Sequence, residues 1–373
     1  MTGATGTMTA TIGSGPSGAL VNATAPITAG VATFSGLALT GPVGNFTLLF
    51  SDGSRSIGSG PIALAPGAQK SILITAASLV AARNGIPFST QPSVRIVDVG
   101  GNTVDVSGTV TATVATGSGA LVNNTATLTA GVATFRALTL TGTAGPFTLT
   151  LTNGTVSVTT GTVVLSAGAA IGLNLTTPPS AMATNGIAFG TQPIVRVVDA
   201  DNNTVVDATE TVTSNIATGT GAILANATAP ITAGVATFSG MKLTGTTGIF
   251  TLHFVEGPRY VASDDITLVA GAATSLQIAN ESPSSGTNGV PLGTQTIVTV
   301  RDVGGNLVTS ASGTMTATIA SGPASTLTGA TATIVGGVAT FSGLTFTGSA
   351  GDFTVQFSDG TRTITSGTIA IRP

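Results

Sequence analysis

The feature that most constrains the fold is a sequence block that recurs four times at a nearly constant spacing. Close copies of GVATFSGLALTG occur 101 to 103 residues apart and begin at Gly30, Gly131, Gly234 and Gly337. A second block, NGIPFSTQPSVRIVDVGGN, has copies with the same spacing that begin at Asn84, Asn185 and Asn288. A regular period of this length predicts tandem copies of one domain, an arrangement that commonly does mechanical or presentational work.

The repeat divides the chain into four predicted domains, residues 1–64, 65–165, 166–269 and 270–373. The first is expected to be incomplete, because it has no counterparts of the opening strands of the other three. Either the chain is a segment of a longer repeat protein, or another subunit supplies the missing strands, as in pilus-like fibres. We favour the first explanation, because no spare strand follows Ile371.

Charged residues are scarce, and this scarcity excludes some partners. Only 7% of the 373 residues are charged, and the net charge is −3. The 11 basic residues form no stripe that could neutralise phosphates, so we expect no binding to nucleic acid. No apolar run approaches the ~20 residues of a membrane-spanning helix, so we expect no membrane insertion. Cysteine is absent, which excludes disulfides and thiolate metal sites.

The second unit reads as a series of short strands separated by turns. Alternating apolar and Thr positions are clearest over residues 108–114, and the turns carry Asn-Gly, Asp-Gly and Gly-x-x-Gly sequences. Seven strands are predicted, over residues 71–75, 93–98, 108–114, 125–128, 132–135, 147–151 and 156–164. This pattern favours an all-β chain, a tandem array of immunoglobulin-like antiparallel β-sandwiches with about seven strands each. Because only two or three residues join the units, we expect an elongated, semi-rigid rod.

The motif G-V-A-T-F-x-x-L…G-x-F-T-L, together with D-x-x-x-N after a strand, resembles bacterial immunoglobulin-like repeats of the Big or invasin type. The resemblance covers the whole chain and implies tandem sandwiches of large surface or extracellular proteins. Such repeats often have Tyr where this chain has Phe46, Phe147, Phe250 and Phe353. A tyrosine-corner hydroxyl bond cannot form at these positions, and we expect an apolar contact in its place.

Few residues are candidates for chemistry, and we predict that the chain is not an enzyme. The single histidine, His253, is expected on an outward-facing strand position, and no nucleophile with a base is recognisable. Calcium is the candidate cofactor, with Asp199, Asp201 and Asp207 as its candidate ligands. The alternative, which we favour, is that each Asp-x-x-x-Asn sequence closes a strand connection as an Asx turn. The N-x-T sequences at Asn22, Asn123 and Asn226 are interpreted in the same way, as a repeated turn.

Together these patterns predict a non-enzymatic extracellular structural protein of a bacterium. The rod would act as a stalk or spacer of a long surface adhesin, or as the building block of an extracellular fibre or sheath. Its partners would be other repeats of the same protein or identical subunits. Alternatives are an adhesive module that binds glycans, ice or cell surfaces, and a decoration of a phage virion or tail. Ice binding is disfavoured, because the T-x-T sequences predict only one Thr row on each sandwich.

Overall fold

The computed structural model describes residues 3–76 and 79–373, and the regular secondary structure of these residues is entirely β. The chain forms two compact units, Met1–Ala169 with Asp199–Asn203, and Ala170–Val198 with Thr204–Pro373. Repeats 1 and 2 lie in the first unit. Repeats 3 and 4 lie in the second, except for residues 166–169 and the loop 199–203. The domain boundaries inferred from the sequence stay predictions.

The strands are short and follow the sequence period. Repeat 1 contains β1 Gly6–Ser14, β2 Ala19–Val21, β3 Thr24–Thr28, β4 Val31–Ala32, β5 Ala38–Thr40, β6 Gly44–Ser51, β7 Ser56–Gly58 and β8 Ile62–Leu64. Repeat 2 contains β9 Ser71–Ala76, β10 Ala81–Arg83, β11 Ser93–Val97, β12 Gly108–Thr116, β13 Gly119–Val122, β14 Thr125–Leu128, β15 Val132–Thr134, β16 Thr139–Gly142, β17 Gly145–Thr152, β18 Ser157–Thr159 and β19 Val163–Ser166. Repeat 3 contains β20 Gly172–Thr177, β21 Met182–Thr184, β22 Ile194–Val198, β23 Thr211–Thr218, β24 Ala222–Ala225, β25 Thr228–Thr232, β26 Val235–Thr237, β27 Lys242–Gly245, β28 Gly248–Glu256, β29 Arg259–Ala262 and β30 Ile266–Val269. Repeat 4 contains β31 Ser275–Asn280, β32 Ser285–Thr287, β33 Ile297–Arg301, β34 Gly313–Ser321, β35 Ser325–Thr328, β36 Thr331–Val335, β37 Val338–Thr340, β38 Thr345–Gly348, β39 Gly351–Ser358, β40 Thr363–Thr365 and β41 Ile369–Arg372.

The sheets of repeat 2 show the architecture most simply. One sheet has the order β10-β19-β17-β12-β14, with β18 beside β17, and the other has the order β15-β11-β9. The small pair β13–β16 lies apart from both. This crossed strand order confirms the immunoglobulin-type sandwich, which recurs through the chain. Over the part of the chain that the structure describes, all pairs are antiparallel except one per complete repeat, β10–β19, β21–β30 and β32–β41.

The predicted number of strands was too low. The described residues of each complete repeat form eleven strands rather than about seven. In repeat 2 the stretch predicted over 156–164 is two strands, β18 and β19, and β10, β13 and β16 were not predicted. These three have only three or four residues. Such segments are too short to show a period of two, and tertiary pairing sets their conformation.

The apolar contact expected at the Phe positions is confirmed, and a glycine makes it possible. Phe147 is 1% exposed and lies against Gly117, where an added Cβ would be 2.3 Å from the Phe147 Cδ1 atom. Gly117 has a φ of +104°, a region that L side chains rarely adopt. The same pairing recurs between Gly219 and Phe250. The ring therefore packs on bare backbone at the end of the core.

Candidate functional site

The strongest recurring polar arrangement is the five-residue loop that follows β11 and its counterparts. In the first of these loops the Asp98 N–H donates to the Asn102 carbonyl at 3.0 Å, and the Asn102 N–H donates to Asp98 Oδ1 at 2.9 Å. The loops 199–203 and 302–306 repeat both hydrogen bonds. Each Asp-x-x-x-Asn sequence is thus closed by its own Asp side chain, which is the Asx-turn arrangement expected from the sequence.

The Asp carboxylate also fixes the linker that precedes its own repeat. Gly67, in the first linker, donates its N–H to Asp98 Oδ2 at 2.8 Å. Gly168 donates to Asp199 Oδ2 at 2.7 Å within the first unit, and Gly271 donates to Asp302 Oδ2 at 2.8 Å within the second. One carboxylate therefore ties together a loop and a linker that are far apart in sequence.

The Asn at the end of the loop reaches the Gly-x-x-Gly turn of another repeat. Asn102 Nδ2 donates to the Gly41 carbonyl at 2.9 Å, and Asn102 Oδ1 accepts from the Val43 N–H at 2.8 Å. Asn306 makes the equivalent pair of bonds with Gly245 and Thr247, at 2.8 and 2.9 Å. A side-chain amide that both donates to and accepts from one turn fixes the orientation of that turn relative to the loop as well as the distance between them.

Within the first unit, the loop 199–203 makes the same contacts with repeat 2. Asn203 Nδ2 donates to the Gly142 carbonyl at 2.9 Å, and the Ala144 N–H donates to Asn203 Oδ1 at 2.7 Å. Three of the four Gly-x-x-Gly sequences, which the sequence showed only as turns, are therefore hydrogen-bond partners of the loop Asn side chains.

A second asparagine, the first residue of the NGIPF block, completes the arrangement. Asn185 Nδ2 donates to Asp302 Oδ2 at 2.9 Å and to the Gly245 carbonyl at 2.6 Å, and its Oδ1 accepts from the Gly245 N–H at 3.0 Å. Asn84 makes comparable bonds with Asp199, at 2.8 Å, and with the Gly142 N–H, at 3.0 Å. We name each set an Asp–Asn clamp. A clamp comprises the Asp and Asn of the loop, the linker glycine and the Gly-x-x-Gly turn that they bond, and, for Asp199 and Asp302, the second asparagine.

The clamp carboxylates remain charged although they are buried. Asp302 is 2% exposed, and Asp199 is 3% exposed. Burial of Asp199 acts to raise its pKa, but the N–H donors around it outweigh burial, and the pKa falls from the usual 3.8 to about 2. The pKa values of Asp98 and Asp302 are lowered by the same balance of burial and hydrogen bonds. Neutral N–H groups thus stabilise each anion.

Calcium ligation by Asp199, Asp201 and Asp207 stays a prediction, and the structure shows where these side chains lie. Asp199 and Asp201 meet at the Asn84 amide, whose Nδ2 lies 2.8 and 2.7 Å from their carboxylate oxygens. Asp207 is exposed. Over residues 3–76 and 79–373, no group of three His, Cys, Asp or Glu side chains is placed to hold a metal ion. N–H donors around Asp199 present the wrong polarity to a cation.

Other singled-out residues have local roles. His253 lies on β28 between the buried Leu252 and Phe254, as expected for an outward-facing position, and its ring contacts Tyr260 at a centroid distance of 5.0 Å. Asn123 has a φ of +54°, and its Nδ2 donates to the Ala137 carbonyl at 3.1 Å. The equivalent N-x-T residues, Asn22 and Asn226, have the same conformation and bond. The repeated-turn interpretation accounts for these asparagines.

The sequence pointed to the Asp and Asn of the loop but not to their partners. The missed residues are the second asparagines, Asn84 and Asn185, and the carbonyls of the Gly-x-x-Gly turns. The signal was present, because the turn, the NGIPF block and the Asp-x-x-x-Asn sequence share one spacing. That spacing shows that the three features recur together, but it does not show that they are in contact.

No family model matches the chain, and no curated protein matches it significantly. Among solved structures, it is similar to the Escherichia coli adhesin FdeC, with 16% identity over 83% of this chain and 100% of that one and a TM-score of 0.37. For domains 4–9 of the surface-layer protein SbsC the identity is 17% over 97% of this chain and 57% of that one, and the TM-score is 0.23. For invasin, a bacterial integrin-binding protein, the identity is 15% over 82% and 60%, with a TM-score of 0.30. Similarity at this level carries no argument about activity or partners. Among the described residues there is no helix long and apolar enough to cross a membrane.

Proposed function

We propose that the chain is a non-enzymatic structural protein of the bacterial cell exterior, a stiff spacer built from tandem sandwiches. The observation that carries the proposal is the Asp–Asn clamp, whose bonds fix the linker and the neighbouring Gly-x-x-Gly turn at the same time. Linkers of a few residues become semi-rigid when their backbone groups are bonded to the flanking domains. A chain that evolved to flex between repeats has no need of buried carboxylates where repeats 1 and 2 meet and where repeats 3 and 4 meet.

The proposed role is to hold a distal adhesive domain away from a surface, or to pack side by side in an extracellular fibre or sheath. The small number of charges supports close lateral packing, because weak net charge reduces repulsion between copies. Surface labelling tests the location. Antibodies against the chain should label intact cells of the source organism without permeabilisation, and labelling only after lysis would contradict the proposal.

Small-angle X-ray scattering on the full chain tests the spacer role. We expect either an elongated monomer or ordered lateral assemblies. A monodisperse monomer with the radius of gyration of a compact globule of this length would refute both forms of the proposal.

A second candidate function, adhesion to a flat ligand surface, is favoured by one observation. The expectation of a single Thr row was wrong, because in repeat 2 exposed or half-exposed hydroxyl residues line four adjacent strands, β14, β12, β17 and β18. Cross-strand pairs such as Thr111–Thr152 and Thr150–Thr159 place the hydroxyls in register. A polysaccharide pull-down and an ice-shaping assay with the full chain test this role. Binding lost in Thr111→Val together with Thr150→Val would support it, and no binding to either surface would refute it.

A further inference from the structure

One outward sheet face of repeat 3 carries the single histidine and the single tyrosine of the chain side by side. The centroids of the His253 and Tyr260 rings lie 5.0 Å apart, and the ring planes are inclined by 44°. His253 lies on β28, and Tyr260 lies on the adjacent strand β29. Tyr260 is nevertheless 65% exposed. An aromatic ring that a neighbouring ring supports and that still faces solvent offers a surface on which a ligand can stack.

The neighbouring repeats do not carry this pair, although the same strands pair in the same register. The equivalent positions of repeats 2 and 4 carry polar residues without a ring, Thr150 with Ser157 and Gln356 with Thr363. Since these repeats form the same sandwich, the two rings are not needed to build it. Adjacent exposed aromatic side chains on a sheet face indicate an interaction site.

Neutral hydrogen-bonding groups border the two rings. Asn215 lies opposite His253 in the register of β23 with β28. Thr213 lies opposite Val255, which in turn lies opposite Tyr260. Both Asn215 and Thr213 are exposed, and neither side chain has a hydrogen-bond partner among the described residues. Because neighbouring strands lie about 4.8 Å apart, these groups and the rings lie within the length of a disaccharide.

The charge of this face narrows the class of ligand. Apart from His253, none of the outward-facing residues of β23, β28 and β29 is acidic or basic. The nearby Glu256 and Arg259 form a salt bridge with each other, and the Glu256 side chain is 2% exposed. A phosphate, sulfate or uronate would need a basic partner, and the face offers no Lys or Arg. A neutral sugar with equatorial hydroxyls fits better, because it presents only C–H bonds to a stacked ring and directs its hydroxyls sideways to an amide such as Asn215.

We propose that this face of repeat 3 is a binding site for a neutral saccharide of β-linked glucose or N-acetylglucosamine. One sugar ring stacks on Tyr260, and the Asn215 amide bonds adjacent hydroxyls of the saccharide. His253 is a positioning residue, because its ring holds the Tyr260 ring in place before the sugar arrives. The inference goes beyond the spacer function, which needs only the clamps. It is also distinct from the hydroxyl rows of repeat 2, which contain no aromatic ring.

Intrinsic fluorescence of the full chain tests the proposal, because the chain contains no Trp and Tyr260 is its single Tyr. All tyrosine emission therefore comes from the proposed site. Titration with cellohexaose and with chitohexaose should change that emission in a saturable manner for at least one of the two sugars. Binding should be as strong at high salt as at low salt, because no ion pair contributes to it. A flat response to both sugars, or binding that high salt abolishes, would overturn the proposal.

Variants that copy a neighbouring repeat should leave the sandwich intact. Tyr260→Ser introduces the residue type of Ser157 and should weaken binding at least tenfold, followed by the NMR signals of the single imidazole. Tyr260→Phe should retain binding, because the ring remains. His253→Thr introduces the residue type of Thr150 and should weaken binding while lowering the fluorescence anisotropy of Tyr260 in the free chain. His253→Phe should restore both properties, because it again places a ring beside Tyr260.

A substitution at the equivalent position of repeat 4 provides the matched control. Thr363 is exposed and holds the place of Tyr260 in that repeat, so Thr363→Ala should leave binding unchanged. Binding that survives Tyr260→Ser at full strength would overturn the proposal. Sugar-free dimers that Tyr260→Ser dissociates in analytical ultracentrifugation would also overturn it, because a second copy of the chain would then occupy the face.

Discussion

Removing the carboxylate of Asp302 should open the join between repeats 3 and 4 without unfolding either sandwich. Asp302 accepts hydrogen bonds from the N–H groups of Gly271, Gly304 and Asn306 and from the side-chain amides of Asn185 and Asn306. Hydrogen bonds to a charged group contribute about 1.5 to 3 kcal/mol each, but they are not additive, and water can reach donors at a junction. We therefore expect Asp302→Ala to lower the local opening free energy by about 3 kcal/mol.

Hydrogen exchange followed by mass spectrometry measures this change on the full chain. A loss of about 3 kcal/mol corresponds to roughly 100-fold faster exchange of the Gly271 and Gly304 amides. Asp352→Ala is the matched control, because Asp352 lies in the same repeat with a side chain that is 63% exposed. Unchanged exchange at Gly271 would refute the reasoning. An equal loss of protection in β34 and β39 would refute it too, because the carboxylate would then stabilise the sandwich rather than the join.

Three further predictions concern protonation, backbone conformation and metal. Because the folded-state pKa of Asp199 is depressed to about 2, the ionised carboxylate contributes its full stabilisation of the folded state above about pH 4, and this contribution is lost as the pH falls through 2. The NMR shift of the Gly168 amide should titrate near pH 2, and a midpoint near 3.8 would count against the clamp. Gly117→Ala should destabilise repeat 2 by about 3 kcal/mol in urea denaturation. Gly154→Ala should cost about 1 kcal/mol, because Gly154 has a similar φ but no atom within 4 Å of an added Cβ. Equal costs would show that contact with the Phe147 ring is unimportant. EDTA should leave the scattering curve of the full chain unchanged, and a loss of stiffness would show that calcium is needed after all.

Much of the sandwich was predictable because its determinants are local. Alternation over Gly108–Val114 placed Val110 and Ala112 in the core, and both are 0% exposed. Glycine recurred at many of the positions where φ is positive, as at Gly117, because a φ near +104° is costly for a residue with a side chain. The short strands β10 and β16 escaped prediction because partners distant in sequence hold them in place.

The candidate site was half predictable for a physical reason. Asp302 and Asn306 close their own turn, so local reasoning accounts for them completely and gives no reason to look further. Their second set of bonds, to Gly245 and Asn185, depends on how two repeats meet, which no pattern within one repeat encodes. The periodicity reveals the repeats, but it does not indicate which residues of two neighbouring repeats are in contact.

The central claim is that Asp–Asn clamps hold repeat 1 against repeat 2, and repeat 3 against repeat 4, at a fixed orientation, and the distance distribution across one of these joins tests it most directly. The chain contains no cysteine, so spin labels can be placed cleanly at Thr213→Cys in repeat 3 and Thr316→Cys in repeat 4, two exposed strand positions. Pulsed electron–electron double resonance should give one narrow distribution in the labelled chain and a broad one after Asn185→Ala with Asn306→Ala. Equal widths in the two proteins would contradict the account.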